Sequence, residues 1–389
     1  MKNILYLSFY FEPDLCAGSF RNSPLALQLA NIAKGKANIH VYTTMPNRYN
    51  SFSEECPETE VIDNLHITRI LLPKHKSGFF DQIKSFLFYF KKVKKQTHDK
   101  SFDLVFASSS RLFTAFLGYI LASRKNTPLY LDIRDIFVDT IKDVISNRLL
   151  KLVLLPVLKV IENKVFSYAN HINLISPGFN SYFSKFTKAT YSNFTNGIDD
   201  QFVFNSSFEE SLSSEKIVIT YAGNIGEGQG LHLIIPAMAQ ELGKEYQIRI
   251  IGDGGMRKKL EQEIVNRNIF NVSIENPVKR ERLVEIYKQS HFLFMHLNDY
   301  PAFEKVLPSK VFELGAFPRP IIAGVAGYAS GFLEENISEK ILFKPNDVNG
   351  FIEKIKIYNY QLPARSAFIE KFNRNNINIL MAKSIYSYI

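Results

Sequence analysis

Several kinds of chemistry are missing from this sequence. Only two cysteines, Cys16 and Cys56, occur in 389 residues. Two are too few for a disulfide framework or a thiolate metal site, so a reducing compartment is expected. The histidines show no H-E-x-x-H or other metal spacing, and no serine sits in a G-x-S-x-G elbow. Neither a bound metal nor a serine nucleophile is therefore expected. Tryptophan is absent while Phe (33) and Tyr (19) are plentiful, a bias with no physical account. The longest apolar run, Leu149 to Ile161, is interrupted by Lys151, Pro156 and Lys159 and is too short to span a bilayer. The opening MKNILYLSFYF runs into a strand-like pattern with no cationic leader and cleavage site, so secretion is not expected.

What is present is ordinary in bulk and organised in detail. Hydrophobic residues make up 46% and charged residues 22%, values typical of a globular protein. At roughly 100–200 residues per domain, two domains are expected. Lys+Arg 47 against Asp+Glu 38 gives +9. This favours phosphate-rich partners: nucleotide sugars, anionic lipid surfaces or nucleic acid. No nucleic-acid fold signature accompanies the charge, so nucleic acid is not expected.

Short β-branched or aromatic runs alternate with helical patterns. Strands are expected at Asn3–Phe9, Ile39–Thr44, His66–Leu71, Asp103–Ser108, Pro128–Ile133 and His171–Ile175. After a pause they resume at Lys216–Ala222, Tyr246–Ile251, Val272–Glu275, His291–His296, Pro320–Gly324 and Lys340–Phe343. Such alternation implies parallel sheets covered by helices on both faces. The polar, Ser-rich stretch Asp199–Glu215 reads as a linker. The expected division is residues 1–205, residues 206–372, and a terminal helix over 373–389 returning to the first domain.

In open α/β sheets, ligands bind beyond the carboxyl ends of the strands, and the unusual residues collect there. Glu12-Pro13-Asp14 and Gly18-Ser19 follow the first strand, Ser108 to Arg111 the fourth, and Arg134-Asp135 the fifth. Gly223–Gly230 follows the first strand of the second half, before a helix whose free N–H groups suit a diphosphate. A plain connecting loop is the competing reading. Gly252-Asp253-Gly254-Gly255 closes the next strand, and reads equally as a tight turn. Pro308-Ser309-Lys310 opens a helix carrying Glu313, whose carboxylate suits either the helix dipole or sugar hydroxyls. Glu304 lies in a loop nine residues earlier. Phe79–Gln96 has Phe79, Phe80, Ile83, Phe86, Phe90 and Val93 at helical spacing, flanked by Lys84, Lys91, Lys92, Lys94 and Lys95. It reads as an interfacial helix on an anionic membrane or as a core helix with solvated lysines.

Seven segments in order resemble glycosyltransferase family 4 over nearly the whole chain. They are FYFEPDLCAGSFR, YLDIRDIFVD, VIENKVFSYANHINLISPGFNSYF, FTNGIDDQF, ITYAGNIGEGQGL, IRIIGDGGMRKKLE and LPSKVFELGAFPRPIIAG. Within the family, YLDIRDIFVD resembles a segment of the subgroup that builds O-antigen and capsule, which includes N-acetylfucosaminyl-type transferases. The resemblance implies the α/β GT-B fold: two Rossmann-like doubly wound domains facing a central cleft. It implies a retaining, metal-independent transferase without a cofactor. The donor would be a nucleotide sugar, UDP-linked, and the acceptor a polyprenyl-diphosphate-linked saccharide. The protein would sit in the cytoplasm, peripheral on the inner face of the cytoplasmic membrane. By the same resemblance Gly223, Asn224, Gly226 and Gln229 face the donor diphosphate. Gly252, Asp253, Gly254, Val278 and Lys279 flank the base, and Glu313 binds the ribose. Gly18, Ser19 and Arg21 line the acceptor side, and Arg134 and Asp135 lie near the reacting centre.

Three departures stand out. Asn224 and Gln229 replace the Arg and Lys common in the diphosphate loop, so positive charge must come from Lys279, Arg280, Lys310 beside Ser309, or helix N-termini. The family's first Glu falls on Lys305, with Glu304 one place off. Phe137-Val138 replaces the usual Trp-Pro. These departures motivate a rival reading as a catalytically silent partner protein. A GT-B sugar-nucleotide epimerase would share the fold.

Overall fold

The structure, a computed structural model, describes residues 1–47, 55–73, 79–109, 112–145, 147–203 and 215–389, without the side chains of 79–82, 143 and 144. The greater part of the expected linker and the Ser110-Arg111 pair lie outside the described residues. The chain divides into two compact units: Met1–Asn196 with Asn375–Ile389, and Gly197–Arg374.

The first unit holds β1 (Lys2–Ser8), β2 (Ala37–Thr44), β3 (Thr59–Ile62), β4 (Leu65–Ile70), β5 (Leu104–Ser109), β6 (Leu129–Ile133), β7 (His171–Leu174) and β8 (Thr190–Ser192). They form one sheet in the order β3-β4-β2-β1-β5-β6-β7-β8. Every pairing is parallel except β3 with β4. The second unit holds β9 (Ile217–Ala222), β10 (Tyr246–Ile251), β11 (Val272–Glu275), β12 (Phe292–His296), β13 (Ile321–Gly324) and β14 (Lys340–Phe343). Its all-parallel order is β11-β10-β9-β12-β13-β14. Strand order reverses between β1 and β5 in one unit and between β9 and β12 in the other. Those switch points open a crevice at the strands' carboxyl ends.

Strands buried on both faces read as continuous apolar runs, as FLFMH and IIAG do. In β12, Leu293 and Met295 enter one core cluster, while Phe292 and Phe294 enter the cluster on the other face. In the first unit the helix Ala17–Ile32 supplies Leu25 and Leu29 to a core shared with Tyr6, Phe106 and Tyr130. The helix Arg374–Tyr386 adds Met381, Ala382 and Ile385 to the same core.

The helix Phe79–Gln96 forms as its spacing implies, and the described part of its apolar stripe turns inward, with Ile83 and Phe90 half-buried. Phe86, Tyr89 and Val93 are buried. Phe86 stacks near Phe9 and Phe113, with ring centroids 6.0 and 5.4 Å apart. The buried Phe86 and Val93 fit the core reading, with Lys91 and Lys92 in solvent, while the side chains of Phe79 and Phe80 lie outside the described residues.

Candidate functional site

In the second unit the Gly223–Gly230 loop is locked from several sides. Gly223 donates its N–H to Ile251, and Ile225 to Asp253. The loop and the Gly252–Gly255 turn thus interlock backbone to backbone. Gly252 has φ +159°, and any Cβ there would collide with the Gly223 carbonyl, so only glycine fits. The side-chain amide of Asn224 donates to Gln229 Oε1 at 2.8 Å. The two neutral residues that stand in place of cations thus clasp each other across the loop.

Residues at the end of β12 and just beyond it, unremarked as site residues in the sequence, hold the loop from the other side of the switch point. His296 Nδ1 donates to the Gln229 carbonyl at 2.7 Å, and its Nε2 accepts the Asn346 N–H at 3.0 Å. That pair of bonds fixes one neutral tautomer, and burial lowers the His296 pKa to about 4. The Asn298 N–H reaches the Gly228 carbonyl at 2.8 Å. Tyr300 donates to Glu227 Oε1 at 2.9 Å. No motif marks these residues, because their partners lie far along the chain.

Glu313 stands beside the loop. Its Oε1 accepts from Tyr287 at 2.6 Å and from Lys310 Nζ at 2.8 Å. Burial, together with the Glu313 charge, raises the Tyr287 pKa well above its usual value, so Tyr287 remains a donor. The Lys310 and Glu313 side chains are only 24% and 16% exposed. Lys310 Cε lies 3.7 Å from where a Gly223 Cβ would be, which puts a cation over the loop. A partly desolvated pair of this kind offers one charge to phosphate and a second carboxylate oxygen to hydroxyls.

The other expected donor residues are spread around this centre. Asp253 Oδ1 accepts the Gly254 N–H at 2.8 Å. Val278 packs against the core, Lys279 precedes the helix Arg280–Lys288, and Ser309 precedes the helix Lys310–Gly315 without a side-chain cap bond. Arg280 is engaged within the unit: it pairs with Asp199 at 2.6 Å and lies over the Phe202 ring. Glu304 sits exposed in the 3₁₀ turn Pro301–Lys305.

In the first unit the expected acceptor residues divide sharply. Arg21 is 1% exposed and makes two 2.8 Å bonds to the two oxygens of Asp132. Its remaining donors reach the Thr195 and Phe194 carbonyls. Burial works against the charge of Asp132, but Arg21 and Asn173 hold its pKa below the usual carboxylate range. Arg21 is thus placed inside the unit, as a structural ion pair, rather than at a ligand surface.

Arg134, at the carboxyl end of β6, is its counterpart. Its guanidinium makes no hydrogen bond among the described residues, and its Nε is buried without a partner. A Cβ at Gly18 would lie 2.9 Å from an Arg134 terminal nitrogen, so glycine is what admits the guanidinium there. Ser19, one residue on, is fully buried with Oγ unpartnered. Burial raises the neighbouring Asp135 pKa to about 6, against the Thr140 hydroxyl, whose one hydrogen is shared between the two Asp135 oxygens at 3.0 and 3.2 Å. Asp135 lines a small pocket with Glu162 and Tyr182.

Residues 203–374, most of the second unit, match the family Glycosyl transferases group 1. A search of curated proteins found no match. Among solved structures, a sucrose-phosphate synthase from Thermosynechococcus elongatus has TM-score 0.67 at 12% identity, with 99% of this chain and 95% of that one covered. HepE from Anabaena, in complex with UDP and glucose, has TM-score 0.66 at 16% identity, with both chains fully covered. WaaG, a glycosyltransferase involved in lipopolysaccharide biosynthesis, has TM-score 0.63 at 13% identity, covering 99% and 94%. The fold is the expected GT-B type of two doubly wound α/β units, and the match to the glycosyl transferases group 1 model falls on the second of them.

Proposed function

We propose that this protein is a retaining glycosyltransferase. It moves a sugar from a UDP-linked donor, held by the second unit, to a lipid-linked saccharide acceptor engaged by the first. The observation that carries this reading is the Lys310–Glu313–Tyr287 cluster beside the interlocked glycine loop. In one place it combines a cation for a diphosphate, backbone room for close approach and a carboxylate for ribose hydroxyls. The loop's amides clasp each other, so Lys310 replaces the positive charge that the loop lacks.

In the reaction, the bond from the anomeric carbon to the donor phosphate oxygen breaks, and UDP leaves with the electron pair. The acceptor oxygen bonds to the same face of the sugar, and its proton passes to a donor phosphate oxygen. The protein positions both partners and stabilises the leaving diphosphate. A deoxyamino sugar as donor, a polyprenyl-diphosphate-linked acceptor, a role in surface polysaccharide assembly at the inner membrane face, and metal independence all follow the sequence resemblance.

The test is a nucleotide-sugar panel read by thermal shift and by donor hydrolysis, with and without excess EDTA. Stabilisation and hydrolysis with a UDP-sugar, retained in EDTA, are expected. Binding without hydrolysis or transfer would favour a silent partner protein. Full loss in EDTA, restored by magnesium, would end the metal-independent mechanism.

A further inference from the structure

The helix Arg148–Tyr168 packs on the first unit through Leu158, Glu162, Val165 and Phe166. Its other side is bare. Leu149, Leu152, Val153, Val157 and Val160 are between 53% and 78% exposed. At about 100° per residue they fall within an arc of roughly 140°, a stripe about 17 Å long. Isolated exposed aliphatics are unremarkable, but five on one face of one helix are not.

The exposed charge on this helix has one sign. Arg148, Lys159 and Lys164 are exposed on this helix, and its only carboxylate, Glu162, is buried. A second copy of the chain docking on this face would bring like charges together. An anionic surface with an apolar interior complements both features. The helix precedes β7 in a parallel sheet, so its amino-terminal half lies toward the strands' carboxyl ends, the ligand edge. No helix among the described residues is long and apolar enough to cross a membrane.

We propose that the exposed face of this helix docks the protein on an anionic bilayer, with the helix's amino-terminal end nearest the ligand edge. The aliphatic stripe enters the headgroup boundary, and Arg148, Lys159 and Lys164 lie at the phosphates. The inference rests on the lipid-linked acceptor for its purpose, though not for its geometry. It also shifts the contact away from Phe79–Gln96, where Phe86, Tyr89 and Val93 are buried.

The absence of tryptophan makes a direct test available. In Val153→Trp the new indole is the only one in the chain. Its emission should shift to the blue on adding phosphatidylglycerol-containing vesicles, and not with phosphatidylcholine alone. In sedimentation, the full chain carrying Leu152→Ser, Val153→Ser and Val157→Ser should lose about tenfold or more of its binding to anionic vesicles. Its melting temperature should hold, since all three side chains are exposed. Charge reversal at Lys91 and Lys92 should cost much less. An unshifted indole, or equal binding by the triple variant, would overturn the proposal. So would self-association in solution that the triple variant abolishes while vesicles stay unbound. Donor hydrolysis without vesicles should be the same in variant and parent. Its absence from both would count against the transferase reading and leave the docking result standing.

Discussion

Two cations approached the ligand edges of this molecule in the sequence, and the fold treats them oppositely. In the first unit Arg21 is buried, with each of its three side-chain nitrogens bonded to Asp132 or to a main-chain oxygen. In the second, Lys310 stays partly open, held by one carboxylate beside the glycine loop. Burial with a bidentate partner makes an arginine part of the scaffold. Partial exposure with a single partner leaves a lysine able to exchange that partner for a ligand. Arg134 adds a third state: its Nε is buried without a partner among the described residues, which costs stability unless an acceptor arrives.

The contrast breaks most visibly at Arg21. Arg21→Ala leaves Asp132 buried and unpaired, and should lower stability by about 3–5 kcal/mol. Urea denaturation measures this, and an unchanged midpoint would return Arg21 to the list of ligand residues.

The next effect is acid sensitivity, present in both units. His171 in the first unit and His296 in the second have folded pKa values lowered to about 4 by burial. Below the unfolded value of about 6.5 the folded state binds fewer protons than the unfolded one. Their stabilising contribution is therefore complete above that pH and is lost as pH falls toward 4. Each accounts for at most about 3 kcal/mol. Asp135, with its pKa raised to about 6, acts in the opposite sense and blunts the slope. Denaturant midpoints that are flat between pH 7 and 4.5 would contradict this.

Glu313→Ala leaves the buried Tyr287 hydroxyl without its acceptor, so it should cost about 1–3 kcal/mol of stability, and it should reduce donor use roughly ten- to a hundredfold, the effect of losing charge-assisted bonds. Steady-state kinetics and nucleotide binding both report it, and intact donor affinity would remove Glu313 from the site. Arg134→Ala should reduce transfer by about tenfold without loss of stability, since no native bond is broken. A destabilised Arg134→Ala would assign it to the scaffold with Arg21. Smallest of all, Asn224→Ala should change donor affinity only a few-fold, about the value of one neutral hydrogen bond.

How much of this was legible beforehand depended on the range of the interaction. All twelve expected strands are present, because each is a local apolar run. The two missed, β3 and β8, are short strands at the sheet edges with exposed or half-buried residues, so neither has such a run. The glycine loops were legible from composition and order. The fate of Arg21 was not, because Asp132 is 111 positions away. Likewise His296 could not be linked to Asn346. The two lysine-rich helices teach the same point. Periodicity shows that a helix has an apolar side, but what covers that side is decided by distant residues.

Residues 375–389 complete the core of a unit whose first strand begins at Lys2. Translation therefore delivers the whole of the second unit before the last piece of the first. On the ribosome, the younger unit can close while the older one still lacks Met381, Ala382 and Ile385 and shows bare apolar surface where they belong. The order of folding should run against the order of synthesis. Nascent chains arrested before residue 375 should resist protease over Gly197–Arg374 and be cut within the first unit. The interval makes the unfinished first unit the natural client of a chaperone.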